Sequence, residues 1–255
     1  LPEHGQLLVE DFQKFMRDLR YRYSGDKPVP YLDDGSKHNS IRYFMGAEYG
    51  DDNQRPHFHI CLLNFQFHDL KKLFKNKSGD DVYTSKKLSA LWGKGHCTTA
   101  DLTLESAAYV ARYVTKKVNG QQAQHHYERL DPQTGEIYQL NKEFATMSRK
   151  VGIGIPFLLK YQTDVYPNDA LKIRKKDKSY ITIKPPRSFD NQLEKLNPEL
   201  YDEIKETRVM TQLKRQLENP EEFTEKRLLV KEEVKLEQAK KLIRKFNEKA
   251  ITKRA

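Results

Sequence analysis

Ile41-Arg-Tyr-Phe-Met-Gly-Ala-Glu-Tyr49, Gly50-Asp-Asp-Asn-Gln-Arg-Pro56 and His57-Phe-His-Ile-Cys-Leu-Leu-Asn-Phe65 follow one another without a break. The outer runs are aromatic and aliphatic and the middle run is made of turn formers, which predicts an antiparallel hairpin. Pro56 stands just before the second strand, where its missing N–H does least harm. Side chains alternate across a strand, so His57 and His59 share one face while Phe58 and Ile60 take the other. Two imidazoles on one face can chelate a divalent ion, and imidazole alone does not choose between zinc, manganese and other ions. Glu48, across the turn on the preceding strand, is the candidate third ligand. A carboxylate there favours a hard, oxygen-seeking ion. A bare His-x-His pair more often just lines a half-exposed strand, so the metal reading needs support from elsewhere in the chain.

Tyr109-Val-Ala-Arg-Tyr113 supplies that support. Ala107, Val110, Ala111, Val114 and Val118 recur at helical spacing, an apolar stripe expected to be the buried face. Tyr109, Arg112, Tyr113 and Lys116 fall on the opposite face. The i, i+4 spacing puts both phenols on one side. Asp101 or Thr103 is the expected cap, and Asn119-Gly120 the expected stop. A phenol has a pKa of about 10, so a tyrosine nucleophile needs help. The cations Arg112 and Lys116 lower the cost of a phenolate, and a bound metal would polarise a scissile phosphate. Judged alone, this helix reads equally well as an amphipathic surface. Only its combination with the histidine strand favours chemistry.

Outward from these motifs, the spacing of Val9, Phe12, Phe15, Met16 and Leu19 predicts a helix. Residues 24–40 read as a loop, and residues 68–74 as a short helix with Leu70, Leu73 and Phe74 facing inward. Ser85–Leu91 reads as another short helix, followed by a strand to about Ala100. Trp92 is expected as a packing anchor rather than a stacking platform. Residues 121–143 read as a polar loop, and Leu171–Ile183 as a hairpin around Lys175-Lys-Asp-Lys178. Pro185-Pro186 marks a boundary. Beyond about Asn191 the chain reads as helical and densely charged in both signs, an extended appendage. The expected domains are therefore 1–190 and 191–255.

With 255 residues, a net charge of +10 and a pI of about 9.3, the chain favours polyanionic partners, nucleic acid first. Cys61 and Cys97 are too few for a disulfide framework or a zinc knuckle. No apolar run approaches a membrane span. No Gly-rich run ends in Gly-Lys-Ser/Thr, so unwinding would fall to a separate helicase, for which the charged tail is a candidate recruiter.

His57-Phe-His59 resembles the His-hydrophobe-His motif of HUH endonucleases, and Tyr109-Val-Ala-Arg-Tyr113 the two-tyrosine motif of rolling-circle replication initiators. Gly46-Ala-Glu-Tyr-Gly50, Met147-Ser-Arg-Lys150, Gly152-Ile-Gly154 and Pro185-Pro-Arg-Ser-Phe-Asp190 are similar to segments of the initiators of microviruses, single-stranded DNA phages of the gokushovirus type. The resemblance covers most of residues 1–190. It implies an α+β, ferredoxin/RRM-like fold, an antiparallel sheet with flanking helices and the histidines on a central strand. It implies Mg2+ or Mn2+ held by His57, His59 and Glu48. It also implies a tyrosine attack on DNA that leaves a 5′-phosphotyrosine and a 3′-OH, with Tyr109 and Tyr113 alternating, and Lys116 is the candidate catalytic cation beside them. Arg55, Arg112 and Lys117 are the candidate DNA contacts. Single-stranded origin DNA, a host polymerase and a host helicase are the implied partners, in the host bacterial cytoplasm. Family members carry a strand upstream of the loop matched by Leu1-Pro2, so a domain short of its first strand is expected. The competing readings are a one-tyrosine HUH transposase or relaxase and a non-catalytic basic single-strand-binding module.

Overall fold

The computed structural model describes residues 5–23, 41–50, 54–76, 78–112, 117–131, 133–149 and 152–251, with the side chains of Gln122 and 241–251 excepted. The expected loop at 24–40, together with Tyr113, Val114 and Lys116, lies outside the described residues. The chain packs as two compact units, residues 1–149 and 150–255. Antiparallel sheets flanked by helices, with a helical C-terminal region, make it an α+β protein.

The first unit is organised by the predicted hairpin. Strand β1 (Arg42–Tyr49) pairs antiparallel with β2 (Pro56–Leu63), with Glu48 opposite His57 and Gly46 opposite His59. On its other edge β1 pairs with β8 (Phe144–Met147). The order is β2-β1-β8, so among the described residues the histidine strand is an edge strand and the glutamate strand is central. This corrects the expected central position of the histidines. Alternation then divides the sheet. Met45, Ala47 and Tyr49 join a buried core with Phe12, Phe15, Met16 and Leu19 of helix α1 (Val9–Tyr23). Glu48, Gly46, His57 and His59 are left to the opposite face. Helix α1 carries Glu10 and Asp11 in its first turn and Arg20 and Arg22 in its last, the arrangement the helix dipole favours. The guanidinium of Arg20 donates to the Ile41 carbonyl at 2.9 Å, fixing the entry to β1.

Residues 71–75 are a strand, β3 (Lys71–Lys75), and not the expected helix. It pairs with β4 (Asp81–Thr84), which pairs with β5 (Thr99–Ala100). The register shifts between Lys72 and Phe74. That irregularity breaks the two-residue alternation and leaves an apolar spacing that mimics a helix. Leu73 and Phe74 are both exposed. The Asn76 side chain closes the turn by accepting from the N–H groups of Ser78 and Asp80. Ser85 caps helix α2 (Lys86–Trp92), and Gly93 ends it in the left-handed region. Trp92 packs edge-on against Phe15 and Phe58, the anchor role expected of it.

The stretch read as a polar loop contains helix α4 (Gln122–Tyr127) and the ribbon β6 (Glu128–Leu130) with β7 (Ile137–Gln139). Its organiser is Tyr127, fully buried, whose hydroxyl donates to Glu143 and accepts the Val118 N–H at 3.0 Å.

The second unit comprises α5 (Ile155–Val165), the predicted ribbon β9 (Leu171–Arg174) with β10 (Tyr180–Ile183), α6 (Arg187–Leu196), α7 (Pro198–Glu218) and α8 (Glu225–Ile251). Ile155, Leu158, Val165, Tyr166, Phe189, Leu193 and Ile204 form its core. Arg208 clamps Asp169 and Asp190 together, and the Tyr166 hydroxyl donates to Asp190 at 2.7 Å. Burial pulls the Asp190 carboxyl up, but the bonds from Arg208 and Tyr166 outweigh it and hold its pKa below 3.8. Folded Asp190 therefore binds a proton less readily than unfolded Asp190. Its contribution to stability is complete above the unfolded value and drains away as pH falls through the folded one. Thermal unfolding followed by circular dichroism is expected to show the wild-type melting temperature dropping more steeply below about pH 4 than that of Asp190→Asn. Equal steepness would remove Asp190 from the account of acid sensitivity.

Candidate active site

The sheet face opposite α1 carries the site. Glu48 is buried, 4% exposed, and its Oε1 lies 3.1 Å from His59 Nε2. The contact is diagonal, because Glu48 stands directly opposite His57 in the ladder. His57 is exposed, with its ring centroid 6.3 Å from that of His59. Among the described residues, no three His, Cys, Asp or Glu side chains are gathered as a metal-binding group. The structure brings together two of the three expected ligands and places the third beside them, further out. The pair fits a cation: two adjacent donors with bonds of about 2.1 Å are about 3.0 Å apart, close to the separation of Glu48 and His59.

Gly50 belongs to this site, although the sequence marked it only as a turn residue and as part of the Gly46–Gly50 segment of the resemblance, with no role. A Cβ there would stand 2.6 Å from His57 Cε1 and 2.9 Å from Nδ1. The absence of a side chain is therefore what lets the ring lie where it does, and backbone conformation is not the reason. Gly50 N–H also donates to the Arg55 carbonyl at 2.9 Å, closing the connection between β1 and β2. Gly50→Ala is expected to displace His57 and weaken divalent-ion binding by about tenfold, the cost of misplacing a ligand's support. Manganese titration by electron paramagnetic resonance reads this directly. An unchanged affinity would remove His57 from the site.

Helix α3 (Leu104–Arg112) packs on β1 and β2. Thr103, one of the two expected caps, starts it reciprocally: Thr103 Oγ1 accepts from Ser106 N–H, and Ser106 Oγ accepts from Thr103 N–H at 2.8 Å. The apolar stripe is less buried than expected. Ala107 and Val110 are half-buried and Ala111 is exposed. Short alanine side chains bury little area, so the helix rests on the sheet through few groups. Tyr109 is 55% exposed, yet its ring meets the His59 ring edge-on at 6.1 Å between centroids. Tyr109 therefore turns to the histidine strand.

Arg112 is exposed at the end of α3, and Arg55 is exposed at the start of β2. Lys117 is exposed and directly precedes Val118, whose N–H is held by the buried Tyr127 hydroxyl. That hydroxyl anchors the chain just past the tyrosine motif. Its pKa is pushed far above the ordinary phenol value by burial and the bond to Glu143, so it stays a neutral donor. Sequence reasoning passed over Tyr127 and Glu143, because nothing in a polar stretch distinguishes a buried tyrosine from an exposed one. His125 lies 3.4 Å from Glu128, and His126 packs on Tyr127.

Residues 2–118 match the family described as replication-associated protein ORF2/G2P. The replication-associated protein ORF2 of Spiroplasma virus 4 is 33% identical over 201 residues, 78% of this chain and 55% of that protein. The replication-associated protein VP4 of Bdellovibrio phage phiMH2K is 28% identical over 200 residues, 76% of this chain and 54% of that protein. The chain thus spans about half the length of these two curated relatives. The replication-associated protein ORF4 of Chlamydia phage 1 is 35% identical over 81 residues, 30% of this chain and 20% of that protein. No solved structure matches the chain.

Proposed function

We propose that this chain, whose residues 2–118 match the ORF2/G2P family of replication-associated proteins, initiates phage DNA replication by nicking single-stranded or melted origin DNA through a tyrosine nucleophile. The observation that carries this reading is the meeting of Tyr109 with the His59–Glu48 pair on one sheet face. Two motifs far apart in sequence converge where a phosphate could lie between a phenol and a cation.

Glu48, His59 and His57 would hold Mg2+ or Mn2+, which supplies Lewis-acid polarisation of the scissile phosphate. The phenolic oxygen of Tyr109 or Tyr113 attacks phosphorus and loses its proton. The P–O3′ bond breaks, and the departing 3′ oxygen takes up a proton. The products are a 5′-phosphotyrosine and a free 3′-OH. Arg112 and Lys116 lower the cost of the phenolate, while Arg55 and Lys117 hold neighbouring phosphates. The second tyrosine makes the next cut, and attack of a 3′-OH on the first phosphotyrosine reseals the strand. The 3′-OH serves a host polymerase, and a separate host helicase opens the duplex, in the host bacterial cytoplasm. No helix among the described residues is long and apolar enough to cross a membrane.

The test is incubation with single-stranded origin DNA and manganese, read on a denaturing gel. A shifted protein–DNA band that resists denaturation and requires the divalent ion is expected. Cleavage with no such band would point to hydrolysis without a covalent step.

A further inference from the structure

Residues 171–187 hold seven Lys or Arg and one acidic residue, Asp177. This is a dense run of one sign, and the structure places Lys172 and Arg174 on one exposed face of a ribbon. In the β9–β10 ribbon Arg174 stands opposite Tyr180 and Lys172 opposite Thr182. All four are exposed, while Leu171, Ile173 and Ile181 are half-buried. Period-two alternation accounts for the division, and Lys184 continues the exposed face just past β10. Asp177 sits in the turn at the tip and offsets one of the seven positive charges. Its Oδ1 accepts from both the N–H and the hydroxyl of Ser179, which ties it into the turn and holds its pKa below 3.8. Lys178 takes the left-handed conformation at the tip, and Lys175 N–H donates to the Ser179 carbonyl at 2.8 Å. The tip is therefore a closed turn. Among the described residues, no carboxylate forms an ion pair with Lys172, Arg174 or Lys178.

We propose that the β9–β10 ribbon is a second DNA-binding element, one that docks on duplex DNA through phosphate contacts from Lys172, Arg174, Lys178 and Lys184. The proposal rests on the reading of the chain as a protein that acts on DNA, and adds a site in the second unit to the one on the β1–β2 face. Duplex is favoured over single strand for two reasons. A two-stranded ribbon, with strands about 4.8 Å apart, fits a major groove about 12 Å wide, and Lys172 and Arg174 on β9 with Lys184 just past β10 would supply the cations for the flanking phosphates. Single-strand grooves instead rely on successive aromatic platforms, and Tyr180 is the one aromatic on this face. Tyr180, 64% exposed, has its hydroxyl available as a donor to a phosphate oxygen.

The test uses the full chain, a short random-sequence duplex and its single strand, without added metal. Lys172→Gln combined with Arg174→Gln is expected to weaken duplex binding by at least about tenfold at 0.1 M salt, and to flatten the plot of log affinity against log salt by about two. The charge-keeping pair Lys172→Arg with Arg174→Lys should restore both values, separating lost charge from a damaged fold. Adduct formation on single-stranded origin DNA should stay at the wild-type level in every variant. Unchanged duplex affinity and slope in the glutamine variant overturn the proposal. So does an equal loss on the single strand, or a wild type that binds no duplex. The adduct readout is independent of these outcomes and reports separately on the nicking reaction.

Discussion

Changing both Tyr109 and Tyr113 to Phe abolishes the covalent DNA adduct and lowers nicking by at least about 10³-fold, the expectation when the only nucleophilic oxygens are removed. Phe preserves the ring, so the edge-on contact with His59 survives at its 6.1 Å centroid distance. Tyr109 is 55% exposed, and melting temperatures measured by circular dichroism alongside the assay check that the fold survives. Each single variant retains one nucleophile, cuts once and fails to release a closed circle. Quantitative gels of adduct and circle read both outcomes together. An adduct that persists in the double variant would place the nucleophile elsewhere in the chain.

The second large effect belongs to Glu48 and His59. Removing an ion that stabilises transition-state charge costs several kcal/mol, and a loss of about 3 kcal/mol is about 10²-fold in rate. His59→Ala and Glu48→Gln are each expected to lower metal-dependent nicking by that factor. Glu48→Gln is the more informative of the two. The Glu48 carboxylate is buried at 4% exposure, a costly place for a charge unless it is paired. Gln keeps the shape and a hydrogen bond to His59 but removes the charge. Its melting temperature should therefore equal or exceed the wild-type value while activity collapses. A purely structural Glu48 gives the opposite pattern, a lower melting temperature with intact nicking. Manganese titration alongside the rate assay separates lost binding from lost chemistry.

Much of this geometry was readable from local patterns. The β1–β2 hairpin followed from alternation around a turn-rich connection, and its register alone put Glu48 beside the histidines. Helix α1 and the β9–β10 ribbon followed from the same periodicities. The misreadings have physical causes. At β3 an irregular register between Lys72 and Phe74 disguised a strand as a helix. Strand β8 is four residues long and pairs with a strand about a hundred residues earlier, so no local signal announced it. The α4–β6–β7 segment is polar and depends on one buried side chain, Tyr127, whose partner Glu143 is distant in sequence. At the site, spacing could name His59 and Tyr109 but not their contact, which depends on how α3 lies against β1 and β2. The closeness of Gly50 to His57 is visible only in three dimensions.

The central claim is that a tyrosine of the α3 motif becomes joined to DNA, and peptide mass mapping of the adduct tests it most directly. Wild-type protein is incubated with single-stranded origin DNA and manganese, then digested with nuclease and protease. The account predicts a nucleotide-phosphate mass on the peptide carrying Tyr109 and Tyr113, absent when the divalent ion is chelated. A modification on any other peptide, or cleaved DNA with free 5′-phosphates and no modified peptide, would contradict it.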